Sequence, residues 1–262
     1  MPLQRHKKLT AEFTGTFLFV TTIAVVVKTN PIMAPFAIGF TLMAQVFAFG
    51  YFSGGHFNPA VTLGVALVKG MKPKKAITYI GAQIIGGVLG AAYAVLVTGN
   101  AGENIPAPMP SVTTTMGIVH AFFGELFVTF SLVTVVLQVA CSRQKDNQFY
   151  GFAIGMTVLG GAFAVGGISG GAFNPAVSTG MQLVKCFGGD CEALSYFWLY
   201  WLSQFGSAGL AAGYFLIIHE ANSVHEHTGQ KGPNMSPSSS SINFASQSQL
   251  EQPIHHGLGD SK

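Results

Sequence analysis

The chain has 262 residues, of which 49% are hydrophobic and only 9% are charged, with a formal net charge of +3 and a mean hydropathy of +0.46. Soluble domains carry about 25% charged residues, so this composition excludes a water-soluble globular protein and predicts a polytopic membrane protein. Three cysteines exclude a disulfide-rich framework, and no spacing typical of metal ligands is present, so we expect no metal site.

Six apolar segments are long enough to cross a bilayer, for which about 20 residues suffice. They lie at residues 9–27, 32–52, 77–97, 116–139, 150–168 and 193–218. No cleavage site follows the first segment, so we expect a retained helix after a cytoplasmic segment 1–8 rather than a signal peptide. The apolar pieces after Asn58 and Asn174 are too short to cross. We therefore expect an all-α membrane domain at 9–218, with six transmembrane helices and two re-entrant half-helices, before a disordered cytoplasmic tail at 219–262.

Lysine and arginine accumulate in alternate connections, which indicates orientation because cytoplasmic loops collect these residues. Segments 1–8, 69–75 and 143–145 are basic, whereas the connections between them are not. This pattern predicts an integral membrane protein with both termini in the cytoplasm. It does not distinguish the plasma membrane from an internal, vacuolar-type membrane.

The chain contains an internal repeat, with "SGGHFNPAV" at 53–61 and "SGGAFNPAV" at 169–177. The halves align at about 9–98 and 116–218, and the alignment pairs Glu12 with Glu125. Each half has three spans, so the second copy enters the membrane from the opposite side. Inverted repeats of this kind place a solute site near the midplane, where broken helices meet.

Each repeated motif contains an Asn-Pro-Ala box at the start of a half-helix. Asn is a favourable N-cap residue and Pro suits the first helical position, so both half-helices should begin in mid-membrane with their positive dipole ends there. Non-helical backbone at this depth is tolerated where it lines a cavity or is buried in protein. The boxes therefore predict a polar constriction, formed by Asn58, Pro59, Ala60, Asn174, Pro175 and Ala176.

The two boxes, the "AEF…GTF" start and the six duplicated spans resemble the aquaporin (major intrinsic protein) family over residues 8 to 218. The resemblance implies a homotetramer in the lipid bilayer, with one pore per subunit and passive flow of water and small neutral solutes. It also implies that the protein has no cofactor and no nucleic-acid partner. No nucleophile, paired acid or metal cluster accompanies the boxes, so we do not expect an enzyme.

In that family a narrower filter is formed by four positions, which correspond here to Ile38, Ala162, Gly171 and Val177. Most members have Arg where this chain has Val177, although some plant tonoplast members similarly carry Val. A small, apolar, uncharged ring predicts passage of glycerol, urea or hydrogen peroxide. An apolar constriction can also dewet and stay closed, so a strictly water-selective or closed channel remains an alternative.

Four further residues are subclass markers in the resemblance, and they disagree. Ser178 departs from the Asp of glycerol-type members, and the aromatic pair Tyr200 and Trp201 resembles water-type members. Gln182 fits neither pattern. The markers leave the subclass mixed.

Other residues are expected to support the loops. The resemblance and the repeat imply that Glu12 and Glu125 each accept hydrogen bonds from loop amides behind their own half-helix, with a proton relay as the alternative. His56 is expected to hold the first loop by a hydrogen bond, with gating by protonation as the alternative. The spacing of Cys186 and Cys191 allows a disulfide but does not require one.

Two other function classes remain open on the sequence. A secondary transporter would share the inverted repeat but normally needs ionisable groups at the midplane, which the second box region lacks. A structural or adhesive membrane protein with a silent pore would show ordered arrays and no flux. The N-terminal segment and the tail are candidates for a gate over the pore mouth.

Overall fold

A computed structural model describes residues 2–99, 102–143 and 147–227 of the chain. Among these residues eight α-helices follow one another. They are α1 (Pro2–Thr29), α2 (Ala34–Ser53), α3 (Pro59–Lys69), α4 (Pro73–Thr98), α5 (Thr115–Cys141), α6 (Tyr150–Ser169), α7 (Pro175–Phe187) and α8 (Phe197–His227). Two short 3₁₀ segments, Gly102–Asn104 and Ala193–Tyr196, precede α5 and α8.

Six helical stretches within the described residues are long and apolar enough to span a membrane. They are His6–Thr29, Ala34–Ser53, Pro73–Thr98, Thr115–Cys141, Tyr150–Ser169 and Ala193–His219. Helices α3 and α7 are the two short ones, with 11 and 13 residues. Their length reaches only part of the way across a bilayer, for which about 20 residues are needed. The architecture is thus the predicted one of six spans and two half-helices.

The first and last helices extend beyond the predicted membrane segments. Helix α1 begins at Pro2, so most of the predicted segment 1–8 is helical; proline suits a first helical position and no breaker follows it. Helix α8 continues past residue 218 to His227, because no glycine or proline interrupts the chain there. The rest of the predicted disordered tail, residues 228–262, lies outside the described residues.

The two halves are interleaved rather than side by side. Helix α1 packs on α2 and α4, while α5 packs on α6, as the repeat requires. Helix α2 packs on α6, which joins equivalent helices of the two halves. Half-helix α3 contacts α5, and half-helix α7 contacts α1 and α4, so each half-helix is buried against the opposite half. Both half-helices therefore begin at the centre of the bundle.

Helices α2 and α6 approach closely at two glycines. A Cβ atom built on Gly155 would lie 2.5 Å from the carbonyl oxygen of Gly39, and one built on Gly39 would lie 2.8 Å from that of Gly155. Small residues at a crossing let helix backbones approach inside a bilayer, where dispersion contacts drive association. The outer surface instead carries exposed large apolar side chains such as Phe123, Phe127 and Leu202, which suits contact with lipid.

Candidate functional site

The first turns of the two half-helices are capped by the asparagines of the boxes. Asn58 has an extended backbone, and its side-chain oxygen accepts a hydrogen bond of 2.8 Å from the N–H of Ala60. Asn174 does the same for the N–H of Ala176, at 2.9 Å. Pro59 and Pro175, the first residues of α3 and α7, lack the N–H that a helix start leaves unpaired. Each box is therefore an N-cap followed by a helix start.

The side-chain amides of the two boxes cross over to the opposite half. The Nδ2 group of Asn58 donates to the carbonyl oxygen of Phe173, and that of Asn174 donates to the carbonyl oxygen of Phe57, each at 2.8 Å. Phe57 and Phe173 have φ angles of +47° and +50°. An aromatic residue seldom adopts this left-handed conformation, which here directs each carbonyl towards the opposite asparagine. The crossed bonds fix the two half-helix starts against each other.

A buried carboxylate lies behind the first re-entrant loop. Glu12 of α1 is fully buried and accepts hydrogen bonds from the N–H groups of His56, at 3.0 Å, and Phe57, at 2.8 Å. The side-chain amide of Gln83 in α4 donates to the same carboxylate at 2.8 Å. Glu12 thereby satisfies backbone donors that would otherwise be unpaired in mid-membrane.

Glu125 of α5 has the equivalent role behind the second re-entrant loop. Its carboxylate accepts hydrogen bonds from the N–H groups of Ala172 and Phe173, from the hydroxyl of Ser169 and from the side-chain amide of Gln204. All four distances lie between 2.7 and 2.9 Å. The sequence predicted the loop-supporting position of the two glutamates, whereas the two glutamines were not predicted. The repeat carries a signal for them, because segment 79–83, "YIGAQ", aligns with segment 200–204, "YWLSQ", and both end in glutamine.

His56 belongs only to the first half. Its Nδ1 atom lies 3.1 Å from the hydroxyl of Thr62, which is the contact expected of a loop-holding residue. Its ring packs against Tyr79, whose hydroxyl donates to the carbonyl of Ser53. Ala172 occupies the equivalent place in the second half and has no polar side chain. His56 therefore breaks the symmetry of the repeat in the first re-entrant loop.

A cavity reaches both asparagines. Its wall is apolar except at the boxes and at His56, and its lining residues are Phe19, Leu42, Gly55, His56, Asn58, Val61, Leu132, Val136, Ile154, Val158, Ala172, Phe173 and Asn174. Helices α1, α2, α5 and α6 thus contribute the apolar surface, and the two re-entrant segments contribute the polar groups. A solute in this cavity would meet hydrogen-bonding groups mainly where the half-helices meet.

The predicted filter residues lie on elements that continue this wall. Ile38 and Ala162 stand one helical turn beyond Leu42 and Val158, which is about 6 Å along α2 and α6. Gly171, with φ of +64°, precedes the lining residues of the second loop. Val177 lies in the first turn of α7 and is 1% exposed. None of the four carries a charge or a side-chain hydrogen-bond donor.

The subclass markers lie outside the cavity and hold the second half-helix in place. Ser178 bonds to carbonyls of its own first turn, and the hydroxyl of Tyr200 donates to the carbonyl of Ser169. The indole N–H of Trp201 donates to Thr179 at 3.0 Å. The amide of Gln182 donates to the carbonyl of Pro108 at 2.8 Å. Each of these side chains therefore bonds to the protein itself rather than lining the cavity.

The end of α7 carries a further set of contacts. The structure joins Cys186 and Cys191 by a disulfide, with their Cα atoms 4.0 Å apart. Lys185 forms an ion pair of 3.1 Å with Asp190. A hydrogen bond from the N–H of Glu192, together with the Lys185 ammonium, lowers the pKa of Asp190 below its ordinary value. Within the described ranges no group of three His, Cys, Asp or Glu side chains is arranged to hold a metal ion.

The comparisons with known proteins identify the family. The family model described as Major intrinsic protein (MIP) matches residues 2–215. The chain is 34% identical over 209 residues to glycerol uptake facilitator protein-like 6 of Lactiplantibacillus plantarum, which covers 79% of this chain and 95% of that protein. It is 33% identical over 224 residues to aquaporin-B of Dictyostelium discoideum, covering 73% of this chain and 74% of that protein.

The fold is also that of a solved structure. The aquaglyceroporin from Plasmodium falciparum superimposes with a TM-score of 0.72 at 20% sequence identity, covering 84% of this chain and 99% of that one. This likeness shows the aquaporin fold. The chain belongs to the major intrinsic protein family and is an integral membrane protein. Because this is a family of channels, the prediction of a membrane channel rather than an enzyme is confirmed.

Proposed function

We propose that the protein is a passive channel through which water and small neutral solutes cross the membrane. The observation that carries this proposal is the pair of crossed asparagine amides at the meeting of two half-helices. A side-chain amide has two N–H bonds, and each observed bond to a carbonyl uses one. The second N–H of each amide is a donor for a passing solute, and the two positive dipole ends oppose the passage of cations.

We further propose that the filter formed by Ile38, Ala162, Gly171 and Val177 admits solutes larger than water, namely glycerol, urea and hydrogen peroxide. The small apolar side chains of these residues leave a wide opening. Val177 has no charged side chain that would narrow it. The name of a relative, a glycerol uptake facilitator, supports glycerol as a solute. A strictly water-selective or closed channel is the alternative, because apolar constrictions also dewet.

The assembly and the orientation are part of the same proposal. A homotetramer with one pore per subunit would cover part of the exposed apolar surface of the bundle. The basic connections support an orientation with both termini in the cytoplasm. In that orientation the disulfide between Cys186 and Cys191 lies on the opposite side, where an oxidising compartment favours it.

Osmotic water efflux, driven by an impermeant solute outside the liposomes, tests whether the protein is a channel. Purified protein in liposomes is mixed rapidly with sucrose, and the shrinkage is followed by light scattering. We expect shrinkage much faster than in protein-free liposomes, with a rate that rises linearly with the sucrose gradient. A rate that saturates would favour a transporter, and a rate equal to that of the lipid alone would favour a structural protein with a silent pore.

A further inference from the structure

The connection between α4 and α5 folds over the second re-entrant loop. Its described part, residues 102–114, is called the outer loop here. A Cβ atom built on Gly170 would lie 2.8 Å from the Cα of Pro108 and 3.1 Å from the backbone nitrogen of Met109. Gly170 adjoins Gly171, one of the four predicted filter residues. The middle of the outer loop is therefore in direct contact with the backbone that forms one side of the filter.

Two side chains of α7 fasten this loop. The amide of Gln182 donates to the carbonyl of Pro108 at 2.8 Å, and the ammonium of Lys185 donates to the carbonyl of Glu103 at 3.0 Å. Gln182 is fully buried, whereas Lys185 lies near the surface. Of these two bonds, the one from Gln182 holds Pro108, the residue that contacts Gly170.

The loop makes a third attachment at its far end. The hydroxyl of Ser111 donates to the carbonyl of Gly167 at 2.6 Å, and the N–H of Ser111 donates to that of Ile168 at 2.9 Å. Both acceptors lie in the last turn of α6, just before the second re-entrant loop. The outer loop is thus held on both flanks of Gly170.

The half-helix fold does not itself require glutamine at this position. In the first repeat the equivalent residue of α3 is Ala66, which has no hydrogen-bonding side chain. Val177, in the first turn of α7, likewise has no donor that could hold the outer loop above the filter. Gln182 therefore supplies a loop anchor that neither the repeat nor the filter residue provides.

We propose that Gln182 is a specificity-determining positioning residue, which sets the width of the outer filter by holding Pro108 against Gly170. This inference rests on the proposed channel function but concerns a residue outside the pore lining. Without the bond, the outer loop moves more freely against Gly170 and Gly171, and the filter admits larger solutes more readily. Water, which already fits, is affected less.

The test replaces Gln182 by methionine, which has a similar length and no donor. The Oε1 atom of Gln182 has no partner among the described residues, so Gln182→Met removes a single side-chain bond that the structure shows. Water and glycerol permeabilities are measured in the same proteoliposomes. We expect the glycerol-to-water ratio to rise about two- to tenfold, the factor that corresponds to one neutral hydrogen bond. Amide hydrogen exchange in residues 102–114 should rise as well.

Two further variants make the result interpretable. Ser111→Ala removes the hydroxyl bond from an exposed position, so folding should be preserved, and a smaller rise in the ratio is expected. Lys69→Met is the matched control. Lys69 stands at the end of α3, in the place equivalent to Lys185. Its ammonium donates to the carbonyl of Cys141, on the opposite face from the outer loop. The control should leave the ratio unchanged.

Each outcome decides the proposal. A raised ratio in Gln182→Met and Ser111→Ala, with the control unchanged, supports it. An unchanged ratio, with or without faster loop exchange, overturns it, because Gln182 would then only stabilise the loop. If Gln182→Met loses water flux through misfolding, the ratio in Ser111→Ala decides alone. A wild-type protein impermeable to glycerol would refute the wide filter but not this inference, which then predicts that the variants gain glycerol flux.

Discussion

Single residues determine the geometry at the centre of the molecule, where the two half-helices meet. Phe57 and Phe173 adopt a left-handed conformation that costs about 1–3 kcal/mol each. The cost is offset locally, because the N–H of each residue bonds to a buried carboxylate and its carbonyl bonds to the opposite asparagine. The aperture between the two boxes is therefore held by bonds from both halves, and a change at one residue should affect both half-helices.

Glu125→Gln should destabilise the folded protein. An amide has one acceptor oxygen, whereas the carboxylate of Glu125 receives four donors on two oxygens, two of them the backbone N–H groups of Ala172 and Phe173. Leaving one buried donor unpaired costs about 1–3 kcal/mol. Thermal unfolding in detergent should therefore begin at a lower temperature than in the wild type. The exposed Glu192→Gln is the matched control, and equal melting of both variants would disprove a supporting role for Glu125.

Val177→Arg should convert the channel towards water selectivity. The long guanidinium side chain fills an apolar ring and adds donors and a fixed positive charge at the filter. Glycerol permeability in proteoliposomes should fall towards that of protein-free lipid, while osmotic water flux is retained. Val177→Ile, which adds bulk without charge, separates the two effects. Undiminished glycerol flux in Val177→Arg would place the filter elsewhere.

At the scale of elements, the glycine contact between α2 and α6 joins the two halves. A Cβ atom built on either of Gly39 and Gly155 would lie within 2.8 Å of the carbonyl oxygen of the other. The same two helices carry Leu42 and Val158 of the cavity wall and Ile38 and Ala162 of the proposed filter. A shift at this crossing would therefore alter the distance across the passage.

Gly155→Ala should destabilise the bundle, whereas Gly160→Ala on the same helix should not. The new Cβ at position 155 would lie 2.5 Å from the carbonyl oxygen of Gly39, but a Cβ at position 160 has nothing within 4 Å. Overpacking of this kind costs about 1–3 kcal/mol, and alanine is otherwise favoured over glycine in a helix. The comparison is made by thermal unfolding in detergent. Equal stability of the two variants would show that the helices separate easily.

The overall architecture follows from the inverted repeat, and the repeat was the feature of the structure that was easiest to predict from the sequence. The boxes, the paired glutamates and the six spans are encoded locally, by apolar length and by capping residues. The crossed bonds between Asn58 and Phe173 join residues from opposite halves, and no local pattern specifies which carbonyl an amide will reach. The attachment of Gln182 to Pro108 was missed for the same reason, since loop paths depend on tertiary packing.

Orientation is a property of the whole molecule and is open to a labelling test. Lys74→Cys lies in a basic connection and Ser111→Cys in the outer loop, and both positions are exposed. In cells in which the protein is confirmed at the plasma membrane, a membrane-impermeant maleimide should label Ser111→Cys without permeabilisation and Lys74→Cys only after it, with Cys141→Ser as the common background. The reverse pattern would mean that both termini lie outside the cytoplasm.

Passage of both water and glycerol through the proposed apolar filter can be measured in one stopped-flow trace. Proteoliposomes of the wild-type protein are mixed with an inward glycerol gradient, and light scattering reports shrinkage as water leaves and reswelling as glycerol enters. We predict that both phases are faster than in protein-free liposomes. Fast shrinkage followed by reswelling at the protein-free rate would contradict the wide filter and show a water-selective channel.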